Sequence, residues 1–224
     1  MKTFAGKALE FYHKLNLAIN VPEIEVMNPY IHPVTFDLVT RFLNKYYADD
    51  QSRAFIFGIN PGRFGAGVTG ISFTDPINLE MHCGIPNHLP KKHELSSIFI
   101  YRVIEAYGGA DQFFSKFFIT AVSPLGFTKD GKNINYYDQL NLRDAVYPFA
   151  LKCLNDQFEF GANTRIALCI GGDKNFRFLN TLNSEVKLFK EIIPLEHPRF
   201  IMQYRRKSIN EFLIKYLNAL KNCE

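Results

Sequence analysis

A chain of 224 residues with 47% apolar side chains is long and apolar enough to bury one α/β core, which excludes a disordered or fibrous protein. The formal charge of +4 permits a polyanionic partner without requiring one. Cys83, Cys153, Cys169 and Cys223 are scattered without a CxxC pair, which excludes a zinc ribbon or iron–sulfur spacing and predicts reduced thiols. No apolar run reaches membrane-span length, and MKTFAGKALEFYHKL lacks the features of a leader.

In chain order, Ala5, Ala8, Phe11, Tyr12 and Leu15 recur at helical spacing, and so do Phe36, Val39, Phe42, Leu43 and Tyr46 after Pro33. Ala54 to Ile59 (AFIFGI) is a nearly uninterrupted apolar run ended by Asn-Pro-Gly, the pattern of a strand buried on both faces. A helical pattern over Leu95, Ile98, Phe99, Arg102 and Val103 leads to a second such run, Phe117 to Val122, stopped by Ser123-Pro124. Leu142, Ala145, Val146, Phe149, Cys153 and Leu154 mark the next helix, followed by the run Arg165 to Ile170 and a shorter helix around Phe176 and Leu179. Glu191 to Leu195 carries Pro194, which suits an edge strand, and Ile209, Phe212, Leu213, Tyr216, Leu217 and Leu220 form a closing helix. Strands alternating with helices predict a central, mainly parallel four-stranded sheet in a three-layer α/β/α sandwich, one domain over residues 1–224.

In such a sheet the residues just past each strand share one edge, where open α/β proteins bind ligands. That edge collects Asn60, Ser123, Gly171 and His197. The loop GINPGRFGAGVTGISF (58–73) holds five glycines, yet it has neither the Gly-Lys-Ser/Thr ending of a phosphate loop nor the dinucleotide order. A tight turn explains the glycines alone equally well; Asn60, Phe64 and Phe73 favour capture of a flat polar ring. For His197 by itself, capping a backbone amide is the plainer role. Its neighbours Pro198 and Arg199 and the basic run QYRRK set it beside a surface suited to a polyanion. Asp75, before Pro76, reads as a cap, and His82, Cys83, His88 and His93 have no metal-ligand spacing, so no metal or other cofactor is expected.

The segments GINPGRFGAGVTGISF, HELSSIFIYRVI, FFITAVSPLGFTKDGKNIN and EHPRF together resemble the uracil-DNA glycosylase superfamily, in particular its single-strand-selective monofunctional branch and bacterial relatives, from about Ala54 onward. The resemblance implies that Asn60 positions the hydrolytic water, His197 stabilises the departing base and Phe73 stacks on the flipped base. It implies that Pro61, Gly62 and Gly65 line the base pocket and that Asn133 has a structural role; Ile59, Phe64, Ala121 and Ser123 are expected to meet the substrate beside them. Two departures stand out. Ala121 occupies the position where the family has an asparagine that reads the uracil edge, and RFIMQYRRK replaces a small, proline-rich wedge. Phe200, Ile201 or Met202 is then the candidate wedge, with Arg199, Phe200, Arg205, Arg206 and Lys207 facing DNA.

These residues imply monofunctional hydrolysis, because no lysine sits in the pocket loops to form an imine and no carboxylate pair suits two-acid glycoside chemistry. The expected activity is excision of a deaminated base, uracil or xanthine, from single- or double-stranded DNA by a cytoplasmic monomer, nucleoid-associated in a bacterium. A non-catalytic nucleic-acid-binding protein on the same scaffold and a small-nucleotide hydrolase are the competing readings.

Overall fold

The computed structural model describes residues 2–223. Thr3 opens α1 (Phe4–Lys14) by accepting a hydrogen bond from the Gly6 amide, and the helix buries Phe4, Ala5, Ala8, Phe11 and Tyr12. After β1 (Ile24–Met27), Pro33 starts α2 (Pro33–Tyr46), where its missing N–H is harmless, and Leu38, Val39, Phe42 and Leu43 turn inward. Every residue of β2 (Ala54–Gly58) is buried. The glycine-rich segment beyond it is interrupted by a single turn of helix, α3 (Ala66–Thr69), and Asp75 then caps α4 (Pro76–Met81) by accepting from the Ile77 and Asn78 amides.

Helices α5 (Leu95–Tyr107) and α6 (Ala110–Lys116) return the chain to β3 (Phe117–Ala121), again buried throughout. A hairpin of β4 (Gly126–Lys129) and β5 (Lys132–Ile134) turns on Asp130 and Gly131, both at positive φ as the two-residue turn demands. Its strands span four and three residues, too few for an alternating pattern to show in the sequence, and with β1 they make an unanticipated antiparallel sheet in the order β1-β4-β5. Then come α7 (Leu140–Phe158), β6 (Ile166–Ile170), α8 (Gly172–Val186), β7 (Glu191–Leu195), α9 (Pro198–Tyr204) and α10 (Ile209–Asn222).

The main sheet is parallel, in the order β3-β2-β6-β7, so Pro194 does lie on an edge strand. Phe55 and Phe118 meet Phe4 of α1 and Phe160 on one face. Ile56, Ile119, Leu168 and Ile170 meet Ile100 and Val103 of α5 and Tyr216 and Leu220 of α10 on the other. Burial on both faces explains why these strands read as continuous apolar runs.

Candidate active site

The carboxyl ends of β2, β3, β6 and β7 open into a cleft of about 390 Å³. Asn60, Phe73, Ala121, Gly171 and His197 all line it, as do Ile59, Pro61 and Gly62. The parallel order of the strands brings these residues together from separate parts of the chain.

Asn60 is held by backbone. Its Oδ1 accepts from the Tyr136 amide at 3.2 Å, and its Nδ2 donates to the Ile134 carbonyl at 3.3 Å. Tyr136 is itself fixed, because its hydroxyl donates to Asn175 Oδ1 at 2.6 Å, and the Asn175 amide donates to the carbonyls of Gly58 and Ile170. One buried asparagine on α8 thus ties the ends of β2 and β6 to the segment that clamps Asn60. Asn133 Oδ1 accepts from the Arg63 amide at 3.1 Å, and the residue also lines the cleft.

Phe73 adopts φ of 53°, a left-handed conformation unusual for a bulky residue. Its ring lies over Gly58 so closely that a Cβ there would fall 2.8 Å from it, so glycine ends β2 where the aromatic must pass. The ring centroid stands 5.9 Å from that of His197.

His197 caps α9, its Nδ1 accepting from the Arg199 amide at 3.1 Å. That bond requires an unprotonated Nδ1, so the neutral ring carries its hydrogen on Nε2. Burial, assisted by the positive charge of Arg199, pulls the imidazole pKa down to about 4. The plain capping role and a place in the cleft are therefore the same arrangement.

Four expectations are corrected. Phe64 does not line the cleft; it is 43% exposed, with the Lys92 ammonium 3.8 Å from its ring centroid. Ser123 is fully buried and its hydroxyl donates to the Leu125 carbonyl at 2.8 Å, turning the chain toward β4 rather than meeting a ligand. Gly65 lies behind the wall, where a Cβ would sit 2.5 Å from Glu94 Oε2. Ile201 and Met202 face the core and are buried, because α9 turns its apolar side inward, so neither is a wedge.

Phe200 and Arg199 do line the cleft, and Phe200 is 39% exposed. Arg205, Arg206 and Lys207 are exposed outside it, with the Arg205 guanidinium 5.2 Å from the Phe200 ring centroid. Sequence reasoning missed Glu94, Ser96, Tyr137 and Tyr204, which line the cleft as well. Tyr204 is the one with a sequence signal, since it follows Phe200 by one helical turn. Of the histidine-rich stretch, His82 pairs with Glu105 and His93 lies 3.8 Å from Asp75, and among the described residues no group of three such side chains converges on a metal position. Among them too, no helix is long and apolar enough to cross a membrane.

The family model of the uracil DNA glycosylase superfamily matches residues 45–221. No curated protein matches the chain. The crystal structure of wild-type Pedobacter heparinus SMUG2 superposes with a TM-score of 0.96 at 45% identity, over 99% of this chain and 98% of that one. With the strand-edge cleft and its residues in place, the chain belongs to the uracil DNA glycosylase superfamily.

Proposed function

We propose that this protein is a monofunctional DNA glycosylase that hydrolyses the N-glycosidic bond of a deaminated base, uracil or xanthine, and so begins base-excision repair. One observation carries the reading: Asn60 and a neutral His197 face a single cleft that Phe73 lines, each polar group held by backbone hydrogen bonds. Breaking the bond leaves positive charge on the deoxyribose and sends the bonding electron pair out on the base. A donor fixed where that negative charge grows lowers the barrier without reorganising. His197 Nε2–H is such a donor.

Asn60 is no general base. Its Oδ1 retains a lone pair beyond the one shared with Tyr136, enough to accept a hydrogen from water and aim the water oxygen at the sugar carbon. The water then forms the new C–O bond to the sugar carbon, and its proton passes through solvent to the base anion that left with the bonding pair, which gives the free sugar hydroxyl and neutral base. The base reaches the cleft by leaving the stack, with Phe73 as its stacking partner. Phe200 is the wedge that fills the vacated place, and Arg199, Arg205, Arg206 and Lys207 contact phosphates.

Release of free base from single- and double-stranded oligonucleotides carrying uracil, xanthine or hypoxanthine tests this proposal. Release with intact strands supports it. Binding of uracil-containing or abasic DNA without release selects the binding-only alternative, and release from free deoxynucleotides alone selects a nucleotide hydrolase.

A further inference from the structure

A base stacked on Phe73 presents an edge of ring N–H and carbonyl groups, and leaving these unpaired in a closed pocket would be expensive. β3 offers no side-chain partner, because it ends in the methyl group of Ala121. Ile119 packs against Ile100 and Val103, and by the two-residue period of a strand Ala121 points to the same face, the one covered by α5. Its small side chain therefore leaves room toward the start of α5.

Two polar side chains stand at that start and line the cleft, Glu94 and Ser96. Ser96 is 1% exposed; its hydroxyl makes no hydrogen bond of ordinary geometry, and its polar contact is with the neighbouring Glu94 carboxyl. Buried hydroxyls are nearly always well paired, so one with only this loose contact, on a residue that lines the cleft, points to a ligand atom that completes it. Glu94 is the N-cap residue of α5, yet its carboxyl caps nothing, while its amide is engaged, donating to Asp75 Oδ2 at 3.0 Å. The carboxyl owes its place to Gly65, since any side chain there would displace it. Burial, with the Asp75 charge, raises the Glu94 pKa above the usual carboxylate value, against the opposing pull of the Ser96 hydroxyl and Arg199.

We propose that Glu94 and Ser96 read the edge of the flipped base, Glu94 accepting from a ring N–H and Ser96 donating to the carbonyl beside it. The inference rests on the glycosylase reading above and names its substrate class, bases with adjacent N–H and C=O groups. Uracil, xanthine and hypoxanthine have that edge, as do thymine and guanine, so the contact separates these bases from cytosine and adenine only. Cytosine and adenine present a ring-nitrogen lone pair in place of that N–H, so Glu94 in its ionised form rejects them by repulsion.

The test uses the full chain and two strands, one with 2′-deoxypseudouridine, whose carbon–carbon glycosidic bond resists hydrolysis, and one with an abasic analogue. Wild type is expected to prefer the deoxypseudouridine strand. Ser96→Ala lowers both that preference and uracil release by about tenfold, Glu94→Ala lowers them by about a hundredfold, and Glu94→Gln, which keeps a carbonyl acceptor, recovers most of the loss. Affinity for the abasic strand, which has no base to read, stays within about twofold of wild type in all three. Ser96→Ala removes a hydroxyl that makes no hydrogen bond of ordinary geometry, so its Tm is expected close to that of wild type and that variant carries the test even if Glu94→Ala folds poorly. Preference and uracil release within about twofold of wild type in both alanine variants overturn the inference while the glycosylase reading stands. A preference lost as expected, in a wild-type protein that releases no base, overturns the glycosylase reading and leaves base reading in place.

Discussion

The loop after β2 and the segment after β7 each deliver one polar side chain to the cleft, by different means. Asn60 is clamped through its amide by the backbone of Ile134 and Tyr136, behind which stands Asn175. His197 uses one ring nitrogen to cap α9 and leaves the other free, and its protonation is set by burial and Arg199. One group is fixed by geometry and the other is tuned by its surroundings. The two should therefore respond differently to the same perturbation.

Asn60→Ala is expected to give the largest effect, lowering single-turnover base release by about 10³-fold, because the proposed water loses the acceptor that aims it and the Tyr136 amide loses its Asn60 partner. His197→Ala should lower release by about 10²-fold, the value of one positioned donor. Gly58→Ala sharpens the comparison from the side: the new methyl meets the Phe73 ring, so stability should fall by about 1–3 kcal/mol in urea titrations, and affinity for base-bearing strands should fall more than affinity for abasic ones.

Acid separates the two side chains directly. His197 binds its proton near pH 6.5 in the unfolded chain and only at about 4 in the folded one. As pH falls, the unfolded state takes up the proton first, so the stabilisation is complete above about pH 6.5 and is lost on the way down to about pH 4. Urea titrations should find the His197 contribution about 2 kcal/mol smaller at pH 5 than at pH 7.5, a difference absent in His197→Ala. Because the neutral ring persists to low pH, kcat should show no break near pH 6.5. The smallest effect belongs to the exposed cations: replacing Arg205, Arg206 and Lys207 by alanine should weaken all DNA alike and reduce the salt slope by about 1 for each phosphate no longer neutralised.

The four core strands and the edge they share were legible because burial on both faces writes an uninterrupted apolar run; Asn60 and His197 follow from that edge, and Phe73 from the glycine-rich loop. The residue proposed as a wedge was legible only in part, since Phe200 and Met202 look alike in sequence until α9 fixes which side faces the core. Phe64 and Ser123 were misplaced for a similar reason: position in a loop does not give the direction of a side chain. Asn175 and Tyr136 could not be found by reading along the chain, because their partners Gly58 and Asn60 lie far away in sequence. Glu94 and Ser96 were hidden at the start of a helix on a different wall of the cleft.

The most direct test of the central claim is single-turnover release of uracil and xanthine from oligonucleotides by wild type, Asn60→Ala and His197→Ala, with each variant's Tm and DNA affinity measured in parallel. The account predicts release by wild type, with losses of about 10³-fold and 10²-fold in variants that remain folded and still bind DNA. Wild-type rates in both folded variants would contradict it.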